Sequence, residues 1–103
     1  MSSDYFVSKD VKLYIDYISE VKNLSINTSS SYNRDLQKLI KYLQLINITN
    51  YSDISDDVCS GWIGNLYSLD INPRSIQRHL SSGKGFFRFL KKNHRIEASP
   101  FEL

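Results

Sequence analysis

The feature that most constrains this chain is residues 72–92, NPRSIQRHLSSGKGFFRFLKK. Asn72 is of the type that caps helices, and Pro73 suits a first helical position, where its missing N–H costs nothing. Wound at about 100° per residue, Ile76, Leu80, Gly83, Phe87 and Leu90 fall on one side, with Phe86 at its edge. Arg74, Arg78, Ser81, Gly85, Arg88 and Lys92 fall on the opposite side, flanked by Gln77 and Lys84. One face is fit for a core, and the other is a row of cations and small polar groups. Such a helix is held from behind while its front is free to meet a polyanion.

The charge distribution sharpens this reading. Residues 72–95 hold seven Lys or Arg and no Asp or Glu, whereas residues 1–71 hold six basic and nine acidic residues. A formal net charge of +2 therefore hides a segment of +7, and it is the distribution that bears on partners. A solvated helix face is the plain alternative. Solvated faces usually mix signs for i,i+4 pairing, however, and this one contains no acid.

A length of 103 residues allows one domain, spanning 1–103, with a single modest core. The composition, 41% hydrophobic and 23% charged, is that of a folded chain. No apolar run approaches the about 20 residues of a membrane-crossing helix, and the start, MSSDYFVSKD, lacks a signal peptide's apolar stretch. The single cysteine, Cys59, excludes an internal disulfide and suits a reducing compartment. These features lead us to expect a cytoplasmic protein with no membrane partner. The N-x-S/T sequons at Asn23, Asn27, Asn47 and Asn50 then reflect an Asn/Ser-rich composition.

Upstream, Val11, Tyr14, Ile18 and Val21 step by three and four behind Val7, predicting a helix over 8–22 with Ser8 as cap and Asp10 in its first turn. Leu24 is placed as a hydrophobic staple ahead of a second cap, Ser25. A second helix over 26–46 carries the stripe Tyr32, Leu36, Leu39, Leu43 and Ile46, with Ile40 beside it and Ser30, Arg34, Lys38 and Lys41 opposite. The cluster Asn27-Thr28-Ser29-Ser30-Ser31 reads two ways. Its propensities favour a loop or frayed turn, yet short hydroxyls at a helix N-terminus suit phosphate. After a polar connection over 47–55, Ser55 caps a third helix. Asp56 and Asp57 lie in its first turn, and Val58, Trp62, Ile63, Leu66 and Leu69 face inward. Its Gly61 and Gly64 weaken it and let another helix approach. Asn93 ends the fourth helix, and 96–103 reads as an extended tail. The fold class is all-α, a bundle of four helices without strands or repeats.

Catalytic chemistry finds little support. His79 and His94 lie fifteen residues apart with no Cys or carboxylate at metal-ligand spacing, so no metal and no cofactor are expected. His79 sits at the edge of the apolar face as a packing or phosphate-side residue, and Cys59 has no activating partner in sequence. Ser82-Gly83-Lys84-Gly85 fails as a phosphate loop, because Arg78 and Gly85 stand where Gly and Ser/Thr are needed. No small-molecule substrate is indicated.

Asn23-Leu24-Ser25, Thr28, Tyr32, Asp35-Leu36 and Tyr42-Leu43 resemble the NLS-x-x-T-x-x-x-Y-x-x-D-L…(F/Y)-L opening of Xer-type tyrosine recombinases. Asn72-Pro73-Arg74-Ser75-Ile76-Gln77-Arg78-His79-Leu80-Ser81 resembles their S-P-R-S-I-x-R-x-L-S segment. Phe86-Phe87-Arg88-Phe89-Leu90 and Ser99-Pro100-Phe101-Glu102-Leu103 resemble their (F/Y)-x-(F/Y)-L and N-P-x-E-L elements. The likeness covers nearly the whole chain, in order and in register, and points to the N-terminal core-binding domain of these enzymes, related to phage integrases.

This resemblance implies a SAM-like bundle of four helices whose second and fourth helices face DNA, clamping a recombination half-site together with a separate catalytic domain. It implies double-stranded DNA and other recombinase protomers in a tetrameric synapse as partners. The roles implied are DNA integration or chromosome dimer resolution. The family's Tyr nucleophile and its Arg, Lys and His partners belong to the catalytic domain, so the chain is expected to be a fragment without catalytic residues, its last residues opening the interdomain linker. The DNA-facing residues expected are Thr28, Ser30, Ser31 and Arg34 on the second helix. On the fourth they are Arg74, Gln77, Arg78, Ser81, Ser82, Lys84 and Arg88. Gly83-Lys84-Gly85 departs from the family's usual aliphatic-Arg-small pattern, predicting a lost core contact at Gly83 and a kink or frayed second half. A helical protein–protein interaction module and a small transcription regulator binding a palindrome as a dimer are the competing readings.

Overall fold

The structure, a computed structural model, describes residues 5–101. The first four residues of the start read above, and Glu102 and Leu103 of the closing motif, lie outside the described residues. The described chain is all-α, with helices α1 (Ser8–Glu20), α2 (Ile26–Leu45), α3 (Asp56–Ser68) and α4 (Pro73–Lys92), and a 3-10 turn at Tyr51–Asp53. None of these helices is long and apolar enough to cross a membrane.

The start signals are read by the backbone as expected for three helices. Ser25, Ser55 and Asn72 sit in extended conformation and accept from the N–H groups of Thr28, Val58 and Ser75 at 3.2, 3.2 and 2.9 Å. Ser8 is different: it lies within α1, whose cap is Val7, with no side-chain bond. The helix ends share one device. Asn23, Asn47, Asp70 and His94 adopt φ of 56°, 63°, 59° and 60°, each just beyond a helix. Left-handed residues of this polar kind turn the chain and satisfy the last carbonyls, as Leu24 N–H does for Ile18 and Arg95 N–H for Leu90, both at 2.9 Å.

That device explains where the apolar periodicity overruns. Val21, Ile46 and Leu69, expected to face inward, are the C-cap residues of α1, α2 and α3. The reversal at the next residues carries them outward, so they are 70%, 37% and 61% exposed. Leu24 is likewise exposed at 38% and staples no core.

The core gathers Val7 at the cap of α1, Val11, Tyr14 and Ile18 from α1, Leu36, Leu39, Ile40 and Leu43 from α2, and Cys59, Trp62 and Leu66 from α3. α4 supplies Ile76, Phe86, Phe87 and Leu90, and it packs against all three of the other helices. Trp62 is fully buried, edge-on to the His79 ring at 5.9 Å. Residues 96–101 return to the bundle instead of extending from it. Phe101 stacks obliquely on Phe87 at 5.4 Å and meets Trp62 edge-on at 6.3 Å.

The expected kink in α4 is absent: the helix is continuous through Gly83-Lys84-Gly85. A Cβ at Gly83 would lie 3.3 Å from Trp62 and 3.4 Å from Phe101, so the two rings fill the space an aliphatic side chain would take. A Cβ at Gly85 would collide with the Tyr14 hydroxyl. Both glycines serve close approach of aromatic groups, which offsets their poor helix propensity. Gly61 does the same for the Tyr42 hydroxyl, whereas Gly64 faces open space.

Candidate nucleic-acid interface

The outer face of α4 presents Arg74, Gln77, Ser81, Lys84, Arg88 and Lys92, all exposed. Among the described residues, Arg74, Lys84, Arg88 and Lys92 form no ion pair. On α2, Ser30, Arg34, Lys38 and Lys41 are exposed too. The hydroxyl-rich start of α2 is helical from Ile26 onward. Thr28 is half-buried and engaged with the cap, its N–H and hydroxyl both bonded to Ser25. Ser29 is buried against Ser19 of α1 at 3.0 Å, and Ser31 accepts from Arg34 at 3.2 Å.

Two of the expected contact residues face elsewhere. Ser82 is fully buried; its hydroxyl lies 3.0 Å from the His79 carbonyl and 3.4 Å from Asp35. No ligand on the surface can reach it. Arg78 sits at the edge of the polar face and turns back onto α2, where Nε and Nη2 hold both oxygens of Asp35 at 2.9 and 2.8 Å. The acid-free segment thus finds its acids on other helices. Arg95 similarly reaches Asp10 of α1 at 3.3 Å, and the Tyr51 hydroxyl donates to the same carboxylate at 2.6 Å.

Sequence reasoning missed this buried network. Asp35 and His79 are each 1% exposed, with His79 Nδ1 3.5 Å from Asp35 Oδ1 but out of line for a hydrogen bond. Burial holds the imidazole pKa below its ordinary value; Asp35 opposes the shift, while Lys38 and Arg78 add to it. The signal available was Asp35 itself, a carboxylate directly beside core residue Leu36, which implies a cationic or hydrogen-bonding partner.

Beside the polar face, a groove of about 650 Å³ opens between α1, the start of α2 and the second half of α4. Tyr14, Tyr17, Tyr32 and Phe89 form its apolar walls, and Lys22, Arg88 and Lys92 stand around it with no acid in the lining. Lys22 lies 6.0 Å over the Tyr17 ring. Because Tyr32 of α2 and Ser81 and Arg88 of α4 line one groove, these parts of the two helices share a surface.

Burial pushes the Cys59 thiol and the Tyr14 phenol up to about 12, and raises Tyr51, whose proton is also held by Asp10. No group of three or more His, Cys, Asp or Glu among the described residues is placed to hold a metal ion.

The described helices thus form a small bundle with a cationic ridge along α4. Residues 11–94 match the family described as phage integrase, N-terminal SAM-like domain, and the chain belongs to that family. It is similar to the tyrosine recombinase XerC of Bacillus pumilus, with 24% identity over 90% of this chain and 30% of the relative. Against the XerC of Pseudomonas putida the identity is 26%, covering 91% and 31%, and against that of Chlorobaculum tepidum it is 29%, covering 87% and 29%. The chain therefore spans about a third of the length of these curated relatives. No solved structure gives a significant match.

Proposed function

We propose that this chain is a duplex-DNA-binding module of a tyrosine recombinase, gripping a recombination half-site with the exposed faces of α4 and α2. The observation that carries this reading is the row Arg74, Lys84, Arg88 and Lys92, exposed and without ion pairs among the described residues. Cations kept free of acids are what a polyanion selects for, because each phosphate neutralised releases condensed counterions. Gln77 and Ser81 lie within the row and offer adaptable hydrogen bonds, while Ser30, Ser31 and Arg34 hold the adjoining backbone. Most such contacts position the duplex and do not read its sequence. Strand cleavage belongs to the catalytic domain that the family pairs with this one. Assembly with further protomers, for integration or for resolving chromosome dimers, is the role proposed for the whole enzyme.

A titration of duplex DNA at several ionic strengths tests this. With about five phosphates neutralised, log K should fall with log salt at a slope of roughly −4 to −5. A slope near zero would remove the reading.

The exposed apolar residues Leu45, Tyr67 and Leu69, at 73%, 62% and 61%, favour a second role in protein contact. Its mark is a complex that survives high salt, and within a recombinase the two roles can coexist.

A further inference from the structure

We propose that Arg78 serves DNA binding through Asp35 and not by touching DNA: it is a positioning residue that fixes the spacing of α2 and α4. The inference rests on the DNA-binding reading and assigns Arg78 a role unlike that of the cations beside it. A guanidinium fork that holds both oxygens of one carboxylate, at 2.9 and 2.8 Å, fixes distance and angle together. Asp35 is 1% exposed, so its charge is compensated by that fork and not by water. Nε and Nη2 are both held by Asp35, which leaves Nη1 as the one guanidinium nitrogen outside the fork, and turning the fork itself onto a phosphate would abandon a buried carboxylate, which is strongly opposed.

The tie is also well placed to act at a distance. Asp35 follows Arg34 on α2, and Arg78 lies one turn after Arg74 and one turn before Ser81 on α4. The strut therefore joins the two exposed rows directly beneath them. Phosphates on a duplex have fixed spacing, so a ligand bridging both rows senses the distance between them. Asp35 sets that distance, and the buried Ser82 hydroxyl, 3.0 Å from the His79 carbonyl and 3.4 Å from Asp35, packs behind it.

The two roles for Arg78 predict opposite signs. If Arg78 contacted DNA, Asp35→Asn would remove a competitor and a negative charge, and binding would tighten. If Arg78 positions, the same change loosens the strut and binding weakens. The experiment selects a duplex from a randomised pool with the wild-type chain, then measures its affinity across several salt concentrations, corrected for the folded fraction. Asp35→Asn and Arg78→Gln should each weaken binding by roughly tenfold, the scale of one buried charged tie. The salt slope should stay unchanged and the double variant should be no weaker than the worse single. Leu66→Ala, a destabilising change on α3, should leave the affinity of the folded fraction as it was. Tighter binding by Asp35→Asn, or a slope shallower by about 0.9 in Arg78→Gln, would overturn the proposal. So would equal weakening by Leu66→Ala, which would reduce the effect to stability. If the wild-type chain selects and binds no duplex, the DNA-binding reading falls and this inference with it.

Discussion

Arg74 and Arg78 stand one turn apart on α4 and carry the same guanidinium, but what lies across from each differs. Arg74 faces solvent with no ion pair among the described residues, whereas Arg78 meets the buried Asp35 of α2. The same contrast separates Ser81, exposed at the groove, from Ser82, fully buried against Asp35 and the His79 carbonyl. A helical wheel assigns residues to faces, but it does not say how wide the buried face is. Here that face runs from Ile76 and Phe87 round through Gly83, Leu90 and Phe86 to His79 and Ser82. Its polar edge closes on Asp35.

The largest effect expected follows from this difference. Arg78→Ala would leave the Asp35 carboxyl group 1% exposed and without its fork, and should cost about 3 kcal/mol of folding stability in denaturant titration. Asp35→Ala should cost less, because the Arg78 side chain left behind is already 41% exposed and can turn to water. Arg74→Ala should change stability by no more than about 0.5 kcal/mol, while its salt slope for duplex DNA becomes shallower by about 0.9. Equal stability losses at the two arginines would erase the distinction drawn between them.

A second, smaller effect concerns the two ends of one contact, Gly85 and Tyr14. Gly85→Ala would gain up to about 1 kcal/mol of helix propensity, but its methyl would strike the hydroxyl at the tip of the Tyr14 side chain, whose residue is buried. Overpacking of this kind costs about 1–3 kcal/mol, so the net change should be a loss. In a Tyr14→Phe background the obstruction is gone, since the ring carbon beneath the hydroxyl lies 3.4 Å from the added Cβ. There the same substitution should stabilise. Thermal unfolding of the four chains of this cycle reads the change of sign directly.

The contrast between outer and inner polar residues also marks what could be read without coordinates. The helices were legible because their apolar residues recur at three and four and their starts carry Ser25, Ser55 and Asn72, all of which act locally. The helix ends were harder, since Val21, Ile46 and Leu69 continue the pattern one residue past the last helical residue, just before Asn23, Asn47 and Asp70 reverse the chain. At the candidate interface, Arg74, Gln77, Ser81, Lys84 and Arg88 lie where the wheel put them, exposed. Arg78, placed on that face by the wheel, and Ser82, expected only as a DNA contact, turn inward, because their partner is 43 and 47 residues away in sequence. Gly83 and Gly85 read as defects for the same reason: Trp62, Phe101 and Tyr14, which occupy the space they leave, come from other parts of the chain.

The smallest effect expected is that of pH on the inner network. His79 is buried among Asp35 and Lys38 of α2, its neighbour Arg78 and the Trp62 ring of α3, and burial, only partly opposed by Asp35, depresses its pKa. In the unfolded chain the same imidazole titrates near the ordinary value of about 6.5. The unfolded state therefore takes up a proton first as pH falls, and stability declines from that point toward the lower folded pKa. Above about pH 6.5 the contribution is fully present. Denaturant midpoints measured from pH 8 to pH 5, wild type against His79→Phe, should show the wild type losing stability more steeply. Parallel curves would mean that Asp35 accepts the protonated ring as readily as the neutral one, and that His79 belongs with the outer cations, not with the strut.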